Sequence, residues 1–187
     1  MAFLHNKSLR RVVLILLLAW SAGSFWFFNQ SLIVDSFVTF VAAVCLFLIW
    51  TEISPLFILI FLSFTSAYAL YGFLFFLNLP LWAIMLFALL IYGYLFTFFE
   101  QKIEVLKPEQ LIYLLLFALI ITEMFLLLSY FLIDPLNRSL LVALVSYLLA
   151  GFCLTIIEKR SFADFLIYLL VFGLVYGLIL LTASFGA

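Results

Sequence analysis

The residues of this chain that could do chemistry are few, and acids inside apolar runs come first. Glu123 interrupts ALIITEMFLLLSYF, residues 118–131. A carboxyl in such a run is either part of a proton or solute pathway or a hydrogen-bonding group between helices. Asp35 lies one turn into another apolar run, with Thr39 one turn further along the same helical face. Asp134 and Arg138 stand four residues apart, the spacing of an intrahelical ion pair. Little else points to a reaction. The chain has one histidine, His5, and two cysteines, Cys45 and Cys153, which fall in separate apolar runs. That pattern offers neither a metal site nor a dithiol motif, and the cysteines read as small packing residues. No H-E-x-x-H, G-x-S-x-G or glycine-rich phosphate loop occurs. Asp35 and Asp134 could approach one surface, as a paired-aspartate membrane protease would need, but no known motif surrounds them. The expectation is no catalytic residue, no cofactor, no metal and no enzymatic activity.

The elements that would position these acids follow from composition. Hydrophobic residues make up 70% of the 187, and charged residues 9%. A soluble domain of that size cannot hide so much apolar surface, so lipid is the expected solvent. A formal net charge of −1 excludes a nucleic-acid partner, which needs a basic stripe. Seven continuous apolar runs cover roughly 12–29, 32–51, 55–77, 80–99, 109–133, 136–157 and 162–185. Their length and lack of alternation predict an all-α polytopic membrane protein of seven transmembrane helices, residues 1–187 forming one integral membrane domain. Pro55, Pro80, Pro108 and Pro135 each fall at the start of a run, where a missing N–H is harmless. Ser54 and Asp134 precede two of them as expected N-caps.

Basic residues set the expected orientation. Lys7, Arg10, Arg11, Lys102, Lys107, Lys159 and Arg160 fall on one side and Arg138 alone on the other. This predicts a cytoplasmic N-terminus and an outer C-terminus, in a cell membrane whose short loops suggest a prokaryotic source. Trp50 near the inner face and Trp26 and Trp82 near the outer face fit aromatic belts. The first run resembles a signal peptide, but SFWFFNQSLIV after it stays apolar, so it is expected to remain as a span.

A weak internal repeat is legible. FWFFNQSL, LFFLNLPL and SYFLIDPL mark the outer turns, and Glu52, Glu100 and Glu158 end the second, fourth and sixth runs. The implied plan is three tandem hairpins plus a seventh helix. The glutamates also read as ordinary polar stops with solvated partners. Small residues four apart, Ala19 and Gly23, Ser146 and Ala150, Gly173 and Gly177, give three helices a narrow face. Internal packing is the expected use, with homo-oligomer formation through Gly173 and Gly177 the alternative. The 25 phenylalanines face lipid or line an apolar pocket.

Insertion does not require Glu123 to be useful. A central acid costs about 3 kcal/mol, and sixteen Leu, Ile and Phe in residues 111–133 return on the order of 7 kcal/mol. All eight Lys and Arg lie at or beyond span ends, so no cation is expected at its depth. The expectation is a neutral Glu123 donating a hydrogen bond to a Ser, Thr, Tyr or carbonyl of a neighbouring helix. Two functional readings follow. One is a small non-catalytic subunit or scaffold that packs against other membrane proteins. The other is a transporter or solute-binding component, proton-coupled through Glu123.

Overall fold

Proline places the helix starts. In the computed structural model, which describes residues 7–101, 108–131, 133–157 and 162–182, α3 (Pro55–Phe75), α5 (Pro108–Ser129) and α6 (Pro135–Ile157) each begin on one. Pro80 stands one residue before α4 (Leu81–Gln101), and its carbonyl accepts from the Ala83 and Ile84 amides. At these positions proline gives up no helical hydrogen bond. The remaining elements are α1 (Lys7–Phe28), α2 (Leu32–Thr51) and α7 (Phe162–Thr182), and among the described residues there is no strand. Six of the helices are long and apolar enough to cross a membrane, which supports a multi-pass membrane protein. In α5 the described apolar stretch, Leu115–Ser129, is shorter. His5, Lys102, Lys107, Glu158, Lys159 and Arg160 lie outside the described residues.

Two of the expected caps differ in kind. Asp134 caps α6 with its carboxylate, accepting from the Asn137 amide at 3.2 Å and from the Asn137 side chain at 2.6 Å. Ser54 makes no side-chain cap; its φ is 57°, and its backbone carbonyl accepts from Phe57 and Ile58. Glu52 is also left-handed, at φ 56°, so the α2–α3 turn is closed by backbone conformation without glycine.

The helices are not equivalent. α3, α4, α5 and α6 pack in a ring, α1 and α2 lean on α3, and α7 touches α6. α3 is the hub, with 72% of its spanning window buried against 6% for α7. The packing therefore lends no support to three equivalent hairpins. Its sequence explains the hub role: SFTSAYALYG is the most polar and small-residue stretch among the spans. Small residues let backbones approach, and hydroxyls find partners only inside a bundle. Ser21 of α1 and Thr65 of α3 share a hydrogen bond of 2.9 Å. Tyr71 stacks on Phe125 with ring centroids 4.1 Å apart and donates to the Phe125 carbonyl at 3.0 Å, tying α3 to α5. Phe28 of α1 lies flat on Gly72, where any Cβ would overlap its ring. Tyr168 of α7 seats on Gly151 of α6 in the same way.

Candidate functional site

Glu123 lies on the outward face of α5, one residue from the buried Thr122 and two from the buried Phe125. A helix that buries Ile121, Thr122, Phe125 and Leu128 must turn residue 123 away from the bundle at 100° per residue. The carboxyl opens into a groove of about 400 Å³ between α4 and α5, lined by Trp82, Met85, Leu86, Leu89, Leu119 and Thr122. Thr122 does not serve it, because its hydroxyl donates to the Ala118 carbonyl at 2.8 Å. Among the described residues, no hydrogen bond or ion pair to the Glu123 carboxyl is formed, so the expected bond to a neighbouring helix is not made. The groove is apolar apart from Thr122, Glu123 and the indole N–H of Trp82.

The end of its helix also differs from expectation. α5 ends at Ser129 rather than near 133, six residues beyond Glu123. At 1.5 Å per residue the acid lies ~9 Å from the C-terminal end of its helix. Arg138 lies against that end of the helix. Its Nη2 donates to the Phe131 carbonyl at 2.6 Å and its Nη1 reaches the Ser129 carbonyl at 3.5 Å. The guanidinium lies 4.5 Å from the Phe75 ring centroid and 5.7 Å from that of Tyr71. The expected Asp134–Arg138 ion pair is absent: Arg138 closes the end of α5, while Asp134 is engaged with Asn137. The cation meets carbonyls left over past the last helical turn, while the carboxylate is already used as a cap.

Asp35 and Thr39 form a staple rather than a site. Asp35 is buried. Its Oδ1 accepts from the Asn29 side chain at 2.8 Å, because the short α1–α2 turn folds Asn29 over it. Thr39 donates to the Asp35 carbonyl and accepts from the Trp26 indole, both at 2.7 Å. Asn29 is the polar turn residue of FWFFNQSL, and its place six residues before Asp35 across a tight turn is the signal that marks it.

At the opposite end of the bundle, Arg10 and Arg11 of α1 meet Glu52 after α2. Both Nη2 atoms reach the same Oε1, at 3.1 and 3.2 Å. Burial pushes the Glu52 carboxyl up, but the positive charges of Arg10, Arg11 and Lys7 outweigh it and hold the group below the usual carboxylate value. An antiparallel hairpin brings its first and last turns to one level, which is the sequence signal for this cluster.

The small-residue faces divide. Ser146 and Ala150 are fully buried in α6. Ala19 and Gly23 are exposed, with open space at Gly23, and open space also surrounds Gly173 and Gly177. Internal packing therefore uses one of the three faces, and the close approaches are made instead at Gly72 and Gly151. Spacing alone cannot find these, since each depends on a ring from another helix. Comparison with protein families, characterised proteins and solved structures finds no match.

Proposed function

We propose that this chain is a small non-catalytic membrane subunit that receives a partner's transmembrane helix in the α4–α5 groove, with Glu123 as its polar anchor. In this reading all seven helices span a prokaryotic cell membrane, with the N-terminus cytoplasmic as the basic residues favour. The observation that carries it is the outward carboxyl of Glu123, which has no partner within the described chain. A carboxyl facing hydrocarbon costs about 3 kcal/mol, and a donor on an incoming helix relieves that cost. The anchor on the partner is a hydrogen-bond-donating or cationic side chain. A second copy of this chain is a poor occupant, since a two-fold contact through the groove sets Glu123 against Glu123 and brings no cation to that depth. Proton-coupled transport is less well supported, because the groove is open and apolar rather than an enclosed polar path.

The test is a photo-cross-linking side chain placed at Leu119 in the groove and, as a control, at the exposed Phe47 on α2. The expected result is a discrete protein adduct from Leu119 and none of that mass from Phe47. Lipid adducts alone from Leu119, or the same protein adduct from both positions, would refute the reading.

A further inference from the structure

The paired arginines of α1 carry more charge than the fold uses. Lys7, Arg10 and Arg11 stand within electrostatic reach of one carboxylate, Glu52. Both guanidiniums contact a single oxygen of it, at 3.1 and 3.2 Å, so one negative charge is shared between two cations and the third is left over. The cluster keeps two positive charges in excess among the described residues. They are not equally available. The Arg10 side chain is 12% exposed and lies 5.3 Å from the Phe98 ring, so it is the inner member that holds Glu52. Arg11 is 35% exposed, and Lys7 is exposed on the preceding turn. Arg11 lies 5.8 Å from the ring centroid of Trp50, which is itself exposed, as is Ile53 beside it.

We infer that Lys7 and Arg11, over the Trp50 and Ile53 platform, form a binding site for the phosphodiester headgroup of an anionic phospholipid. The chemistry fits in both parts. A guanidinium with free N–H groups and an ammonium one turn away offer donors to phosphate oxygens. The exposed indole and isoleucine offer apolar surface at interfacial depth to the first carbons of the acyl chains. Excess Lys and Arg at a membrane surface attract anionic lipid, and here the fold fixes them on a built platform instead of a flexible tail. Glu52 sets the polarity: it immobilises the arginines without neutralising them.

The test is titration of delipidated, detergent-solubilised protein with phosphatidylglycerol or phosphatidylcholine, read by native mass spectrometry. The wild type is expected to bind phosphatidylglycerol more tightly. The double variant Lys7→Gln/Arg11→Gln, with Arg10 left to hold Glu52, should lose about twenty-five-fold in phosphatidylglycerol affinity and nothing in phosphatidylcholine affinity, at roughly five-fold per charge. The charge-keeping Lys7→Arg/Arg11→Lys variant should retain the preference. Equal binding of the two lipids by the wild type would overturn the assignment, as would an unchanged Gln variant. A charge-keeping variant that loses as much as the Gln variant would mean a structural effect and would overturn it too. Displacement of the lipid by millimolar inorganic phosphate, but not by chloride at the same ionic strength, would assign the site to soluble phosphate and refute the lipid.

Discussion

Replacing Arg138 with Met keeps most of the side chain's length and apolar volume but removes the guanidinium that closes α5. The 2.6 Å bond to the Phe131 carbonyl is charge-assisted, worth about 1.5–3 kcal/mol. The 3.5 Å contact with Ser129 adds little at that length. The Phe75 ring, 4.5 Å from the guanidinium carbon, adds about 1 kcal/mol. Against these stands the burial of Nε, which has no hydrogen-bond partner and whose removal returns about 1–3 kcal/mol. The net expectation for Arg138→Met is a loss of about 1 kcal/mol, measured by equilibrium unfolding in mixed micelles with increasing dodecyl sulfate. Asp134→Ala should cost about 1 kcal/mol as a lost helix cap, and Asp134→Asn almost nothing, since Asn caps equally well. The decisive quantity is the coupling in the Asp134→Ala/Arg138→Met double-mutant cycle. With no ion pair between them, it should stay below about 0.5 kcal/mol. A coupling of about 1 kcal/mol or more would mean that the two side chains pair after all, and an Arg138→Met variant as stable as wild type would remove the closing role of Arg138.

Gly72→Ala should destabilise the protein by about 1–3 kcal/mol through overlap with the Phe28 ring, and Phe28→Ala in the same chain should relieve part of that loss, by the same unfolding assay. Glu52 has a folded-state carboxyl pKa below its unfolded value, so its contribution is present above the ordinary carboxylate range and is lost as pH falls through the folded value. Glu52→Gln should therefore lower stability near neutral pH by about 1 kcal/mol and flatten the acid limb of the stability profile, read as melting temperature against pH. Thr65→Val should cost about 1 kcal/mol by leaving the Ser21 hydroxyl without its 2.9 Å partner, while Ser21→Ala/Thr65→Val together should cost less than the sum of the two single changes.

The helix count and starts were readable because proline and chain length speak directly to them: Pro55, Pro108 and Pro135 stand at the first residue of α3, α5 and α6. Which face of each helix points inward was not readable from hydrophobicity. A lipid-facing Leu and a bundle-facing Leu satisfy the same apolar requirement, so the pattern carries no sidedness. Polar and small residues carry it instead. Ser63, Thr65, Ser66, Tyr68 and Tyr71 are all buried and mark α3 as the hub, a signal present in SFTSAYALYG. The end of α5 was misjudged because the apolar run continues through Phe131 while the helix stops at Ser129. What meets the end of α5 is Arg138, nine residues beyond Ser129 and on another element, and no local pattern encodes that contact. The Gly173 and Gly177 spacing reports a flat face, and within this chain that face meets open space rather than another helix.

The most direct test of the partner-docking account is the yield of the protein adduct from the cross-linker at Leu119 in wild type, Glu123→Gln and Glu123→Leu chains, normalised to folded protein. Interhelical hydrogen bonds in membranes contribute about 0.6–1.7 kcal/mol, so Glu123→Leu should lower the yield roughly three- to eighteen-fold. Glu123→Gln should retain much of it, and neither change should destabilise the isolated chain, whose own described residues give the carboxyl no partner. An adduct yield unchanged in Glu123→Leu would contradict the account, as would a loss that merely follows unfolding of the isolated chain.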